Sequence, residues 1–184
     1  MVYAQNPNNV FGKIIKININ SKKYEIISMG HRNPQGLFYD IDDNIIFSTD
    51  HGPQGGDEVN FANLNQKKLY NFGWPISSYG DHYGISKDSS LYKEAPLYKS
   101  HEQYGFNEPL KYFEKGIGIS QILSIPKNFN KIEKKQILVA SMGDNLSEGD
   151  LSLHHFVLND NFSVLKHKVI PLNERIRDLI YVKE

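Results

Sequence analysis

Of the 21 basic residues in this 184-residue chain only three are arginine, Arg32, Arg175 and Arg177, in a composition rich in Lys, Ile and Asn. Arg and Lys replace one another poorly where a planar, bidentate grip on a carboxylate or phosphate is required. The three arginines therefore point to an anionic ligand held by all of them, with scatter through a Lys-rich background as the alternative. Arg32 lies in "GHRNPQG", Gly30 to Gly36, which sets His, Arg, Asn, Pro and Gln between two glycines where a simple chain reversal needs far less. An Asx-stabilised structural turn would account for Asn33 and leave Arg32 without a task. Arg175 and Arg177 lie in "RIRD". In a strand, alternate residues share a face, so the two would point the same way with Cα atoms about 6.6 Å apart. That spacing suits two oxygen-bearing groups of one flat ligand; a solvated edge paired with Glu174 and Asp178 is the alternative.

"HGPQGGDE", His51 to Glu58, reads as an oxygen-rich loop. Hard cations such as calcium take backbone carbonyls and carboxylates, and a Gly-Pro pair can turn its carbonyls onto one point. An ordinary acidic turn competes with that reading. His31, His51, His82, His101 and the His154-His155 pair show no metal spacing such as HExxH. On its strand His155 shares a face with Leu151, Leu153 and Val157, which suggests a satisfied core histidine. Ser48, Asp50 and His51 have the residue types of a hydrolytic triad, but they crowd one strand without a nucleophile elbow.

The elements that must position these residues read as β throughout. "KIIKININ" alternates, with Ile15, Ile17 and Ile19 on one face and Lys16, Asn18 and Asn20 on the other. "YEIIS", "GLFYD", "NIIFSTD" and "DEVNFAN" follow, with a hairpin turn at Asp42-Asp43-Asn44. After an irregular stretch come "GISQILSI", "KQILVASM", "LSLHHFVLN", "VLKHKVIPL" and "RIRDLIYV". The second set repeats the order of the first, and "RIRDLIYV" looks like the opening of a third unit. Repeated short antiparallel strands suggest a β-propeller, with a β-sandwich as the competing architecture. Both ends look cut, so residues 1–184 are expected to be one incomplete propeller domain, about half to two-thirds of the whole. Segment 76–111 is too long for an idle connection and carries six aromatics, which favours a shaped ligand entrance over a disordered insert.

Bulk properties exclude several classes. The charges balance at 21 basic against 21 acidic, which argues against a nucleic-acid partner. No stretch is apolar for long enough to span a bilayer, and "MVYAQNPNNVFGK" lacks the layout of an export signal. With no cysteine there are no disulfides or thiolate metal sites.

The order "GHRNPQG", "TDHGPQGGDEVN", "NFGWPISSYGDHY" and "NERIRD" resembles the glucose/sorbosone dehydrogenase family, most clearly over residues 30–178. These are quinoproteins that oxidise sugars with pyrroloquinoline quinone (PQQ) on a six-bladed propeller. The resemblance implies that Arg32, Asn33, Gln35, Asp57, Arg175 and Arg177 bind PQQ. It implies that the carbonyls of Gly52 and Pro53 hold the cofactor's calcium, and that Glu58 and the carbonyl of Phe72 belong to a separate calcium site. Phe72 stands where the family commonly has Tyr. The reaction implied is hydride transfer from the sugar's anomeric carbon to the quinone, with a His as general base. No position in this chain matches that His, which is expected upstream, so no catalytic residue is assigned and the fragment alone is expected to be inactive. "YFEKGIGISQ" lacks the Pro the family usually carries there, and "VASMGDN" lacks the Lys of the glucose-oxidising branch. The partners implied are a sugar and an electron acceptor, in the periplasm or outside the cell. Two alternatives stand beside this reading: a non-catalytic ligand- or protein-binding propeller of the same family, and an unrelated all-β carbohydrate-binding module.

Overall fold

The computed structural model of the protein describes residues 2–143 and 150–182. The chain is nearly all-β. Its strands are β1 (Lys13–Ile17), β2 (Tyr24–Met29), β3 (Pro34–Asp40), β4 (Ile45–Asp50), β5 (Asp57–Asn63), β6 (Tyr70–Asn71), β7 (Lys111–Phe113), β8 (Ile119–Ile125), β9 (Gln136–Ser141), β10 (Ser152–Leu158) and β11 (Val164–Pro171). They form a three-stranded sheet in the order β1-β2-β6 and two four-stranded sheets, β3-β4-β5-β7 and β8-β9-β10-β11. Both four-stranded sheets are antiparallel throughout. The β3–β4 reversal falls at the expected turn, where Asn44 takes a left-handed φ of 55° and Asp40 accepts the Asp43 N–H.

The middle sheet is covered on both faces, so β4 reads "IIFSTD" with five of its six positions buried rather than alternating. On one side Ile45, Phe47 and Val59 pack against Ile119, Ile122, Ile137 and Phe156 of the next sheet. On the other, Ala62 meets Ile14, Ile27 and Tyr70. Phe47 has no exposed surface, and emptying such a site costs about 3–5 kcal/mol.

Between the two four-stranded sheets, β3 and β8 run close enough that Gly36 has no room for a side chain. A Cβ there would lie 2.5 Å from the Ser120 carbonyl oxygen and 2.9 Å from the Ile122 nitrogen. Thr49 closes the seam: its hydroxyl accepts from the Gly36 N–H and donates to the Ser120 carbonyl. Gln121 adds a side-chain oxygen that accepts the Leu37 N–H at 3.2 Å. At the opposite end Lys135 reaches Asp40 at 2.6 Å and also pairs with Asp43.

Four expectations are corrected or refined. A register shift between Ile14 and Ile15 accompanies an inward Ile14, while Ile17, the last residue of β1, and Ile19 beyond it are exposed. "RIRDLIYV" is not a strand. Its described residues, 175–182, run without ladder pairing, fixed by the backbone of Ile176. On β10 the inward face is Ser152, His154, Phe156 and Leu158, so His154 is the buried histidine and His155 is half-buried, bonded to Gln136 at 2.9 Å. Segment 76–111 is packed, not loose: Ser77 bridges Tyr98, Ser89 caps the short helix α1 (Ser90–Glu94), and Tyr98 stacks on Tyr104 at 4.0 Å. Among the described residues no helix is long and apolar enough to cross a membrane.

Candidate functional site

Five strand ends meet at one end of the two four-stranded sheets. Pro34, opening β3, lies opposite Asp50, closing β4; Asp50 in turn lies opposite Glu58 near the start of β5. Ile119, opening β8, lies opposite Ser141, closing β9. This register brings "GHRNPQG" and "HGPQGGDE" to the same rim. The 175–178 segment joins them because Ser120 Oγ donates to the Ile176 carbonyl and the Ile176 N–H donates to Ser141.

Between them opens a cavity of about 520 Å3, lined by Arg32, Asn33, His51, Gly52, Pro53, Asp57, Tyr83 and Arg175, with a glycine-rich floor at Gly116, Gly118 and Gly143. Arg32 Nη1 donates to the His51 carbonyl at 3.1 Å, and the guanidinium lies 5.5 Å from the centre of the Trp74 ring. Among the described residues no arginine is paired with a carboxylate. Asp57 is the one described carboxylate in the wall, and its charge is met from behind. Oδ2 accepts the Ile117 and Ile119 N–H groups at 3.0 and 3.1 Å; Oδ1 accepts the Gly52 N–H at 3.1 Å and lies 3.5 Å from His51 Nδ1. Burial alone would raise its pKa, but His51 and the N–H groups of Ile119 and Gly52 outweigh it and hold the carboxyl below its ordinary value. The cavity therefore presents two guanidinium groups against one already compensated carboxylate, a wall suited to an anion.

Gly52 must be glycine, since a Cβ would fall 1.9 Å from the Gly55 carbonyl oxygen. The Pro53 carbonyl accepts from the Tyr83 hydroxyl at 2.5 Å, and both residues line the cavity. Gln54 and Asp81 exchange backbone hydrogen bonds at 2.9 Å, fastening the long segment to this loop.

A second, much smaller cavity of about 10 Å3 shares Arg32, His51 and Gly52 with the first and is also lined by Asp50, Glu58, Phe72, Trp74 and Ser77. Glu58 is buried there with His101 Nε2 at 3.1 Å and the Asn60 amide at 3.3 Å. Burial, opposed by His101, leaves its pKa raised, with the Asp50 charge adding to the rise. Asn60 Oδ1 is buried without a hydrogen-bond partner. Glu58 and Asp50 share the lining of this small space with Arg32 and His51, and the oxygens of Asp50 already accept the Arg32 and Asn33 N–H groups.

The structure thus gathers Arg32, Asn33, Gly52, Pro53, Asp57 and Arg175 around one cavity and sets Glu58 and Phe72 on the other. Gln35 stays outside the walls but donates to Asn33 Oδ1 at 3.0 Å. Arg177 is exposed and lines neither cavity. Sequence reasoning missed Tyr83, His101 and the tie between His31 and Asp50. Only the ladder pairing of β3, β4 and β5, and the path of the long segment, brings these side chains to the site.

The family described as "Glucose / Sorbosone dehydrogenase" matches residues 1–183. An uncharacterised protein of Synechocystis, slr1608, is 27% identical over 189 residues, covering 96% of this chain and 42% of that protein. Aldose sugar dehydrogenase YliI of Escherichia coli is 33% identical over 96 residues, 52% of this chain and 23% of that protein. A crystal structure of a glucose dehydrogenase superposes with a TM-score of 0.71 at 25% identity, covering 95% of this chain and 50% of that one. The soluble aldose sugar dehydrogenase of E. coli, solved in its apo form, shares the fold with a TM-score of 0.70 at 23% identity, covering 95% of this chain and 50% of that one. The chain spans about half the length of the solved structures it matches.

Proposed function

We propose, from the premise that this chain belongs to the glucose/sorbosone dehydrogenase family, that it forms the cofactor-binding part of a PQQ-dependent aldose dehydrogenase. One observation carries the reading: Arg32 and Arg175, far apart in sequence, wall a single cavity of about 520 Å3 whose one described carboxylate is internally compensated. A flat tricarboxylate suits such a wall in charge, and the volume falls in the range of about 300–1,000 Å3 usual for small-molecule sites.

In this reading Arg32 and Arg175 grip the cofactor's carboxylates, and Asn33, Gln35, Asp57 and Arg177 complete its surroundings. Gly52 and Pro53 offer carbonyl oxygens to its calcium. Backbone carbonyls are suitable donors for a hard cation at this loop. Glu58 and Phe72 line the small second cavity, where Glu58 and the Phe72 carbonyl would hold a second calcium. Bound here, the quinone supplies a hydride acceptor and the calcium a Lewis acid. The chain's own part is to orient and desolvate: the Arg32 guanidinium is held before binding by the His51 carbonyl, and Tyr83 screens one side of the cavity. The general-base His is assigned to no residue of this chain.

The same reading makes residues 1–184 part of a six-bladed propeller. The face-to-face stacking of successive antiparallel sheets, with β3 and β8 side by side, supports it. Its partners would be a sugar and an electron acceptor, with periplasmic or secreted placement.

Trp74 is the single tryptophan and lies against Arg32, so its fluorescence reports on the cavity. Titrating PQQ in the presence of calcium is expected to quench it saturably, with reversal by chelator. No saturable change at millimolar calcium would overturn the proposal. Quenching without aldose-dependent dye reduction by the whole protein would favour the non-catalytic binding propeller.

A further inference from the structure

Ser28, His31 and Asp50 form a hydrogen-bonded relay. Ser28 Oγ lies 2.7 Å from His31 Nε2, and His31 Nδ1 lies 3.2 Å from Asp50 Oδ2. This is the order of a hydrolytic triad, yet the three residues are only 1, 1 and 5% exposed, and Ser28 lines neither cavity. No substrate reaches that hydroxyl, so the relay has no role as a nucleophile.

Its other end shows what it does. Asp50 Oδ2 also accepts the Arg32 N–H at 3.0 Å, and Oδ1 accepts the Asn33 N–H at 2.6 Å. One buried carboxylate therefore fixes two successive amides of the turn that carries a guanidinium and an amide into the large cavity. His31 Nδ1 shares Oδ2 with the Arg32 N–H, and its ring is braced by Phe72, with ring centres 5.2 Å apart. We propose that Asp50, oriented by His31 and Ser28, is the positioning residue for Arg32 and Asn33, holding them in the binding geometry before any ligand arrives. This rests on the reading of the large cavity as an anion site. Asp50 lines the small second cavity but not the large one, on which it acts through the backbone of its neighbours.

Asp50→Asn keeps the size of the side chain but leaves one acceptor oxygen for three donors. Hydrogen exchange of the ligand-free protein should show the Arg32 and Asn33 amides exchanging at least about tenfold faster. The Ile117 and Ile119 amides, held by Asp57, should keep their rates. Unchanged exchange at residues 32 and 33, or an equal rise at all four amides, would overturn the proposal. Trp74 quenching by PQQ with calcium should show Asp50→Asn weakening affinity by roughly tenfold or more. In an Arg32→Lys background the same change should add little, because the two residues act in series. Equal losses in both backgrounds would sink the positioning role. If the wild type binds no quinone, the proposed function falls, while the exchange experiment still decides this inference. Should Asp50→Asn fail to fold, Ser28→Ala removes only the far end of the relay and is expected to speed exchange at the same two amides severalfold; unchanged rates there would likewise overturn the relay.

Discussion

Asp57 Oδ2 accepts the Ile119 N–H at 3.1 Å, joining the first residue of β5 to the first residue of β8 across the boundary between two sheets. The same oxygen takes the Ile117 N–H, so one buried carboxylate sets the spacing of the cavity floor. Asp57→Asn retains one acceptor oxygen and turns an amide group toward backbone donors. It is expected to cost about 1–3 kcal/mol. Urea unfolding checks this, with a lower midpoint at unchanged slope.

Gly36→Ala tests the β3–β8 seam. The added methyl meets the Ser120 carbonyl and the Ile122 nitrogen, both backbone atoms that cannot rotate away. Overpacking of this kind costs about 1–3 kcal/mol. At roughly 2–4 °C per kcal/mol for a chain of this size, a melting-temperature loss of several degrees is expected.

Lys135 gives a pH dependence whose sign can be worked out. Burial alone would lower its pKa, but Asp40 and Asp43 outweigh this and raise it above its ordinary 10.5. For Asp40 burial works upward, and hydrogen bonds from Lys135 and Ser124 pull the value below 3.8. The stability from Asp40 is therefore present above about pH 4 and lost as pH falls through its lowered value; that from Lys135 is present below its ordinary pKa and lost as pH rises through the raised one. Lys135→Met is expected to cost about 3 kcal/mol at neutral pH and to flatten stability on the acid side. Chemical denaturation at pH 3, 5 and 7 would read both effects.

Arg175 and Arg177 should separate experimentally. Both are exposed, but of the two only Arg175 lines the large cavity. In the proposed function Arg175→Lys is expected to weaken quinone affinity by roughly tenfold through loss of a bidentate contact. Arg177→Lys should weaken it less. Trp74 quenching measures both, and the opposite ranking would reassign the grip.

Strand order was readable wherever "YEIIS", "NIIFSTD" or "KQILVAS" gave dense β-branched runs, because burial on one or both faces leaves that trace in composition. Facing was less readable. The bulge at Ile14 and Ile15 reverses the alternation, and nothing local announces it. His154 and His155 show the same limit, since adjacent identical residues carry no mark of which one turns inward. "RIRDLIYV" has strand composition, but its fate depends on Ser120 and Ser141 being within reach of Ile176. At the site, Arg32, the Gly52-Pro53 pair and Asp57 were legible because their types are costly unless used. Tyr83 and Asp50 were not, since their partners come from other strands and from the long segment.

Arg175 reaches the cavity on a stretch that zips to no sheet and is fastened chiefly at Ile176, with Gln121 holding Asp178 at 3.0 Å further along. Such a clip can unfasten while every ladder on either side stays closed. Under the proposed function, the dwell time of an occupant would then be governed by two or three contacts instead of by the melting of the domain.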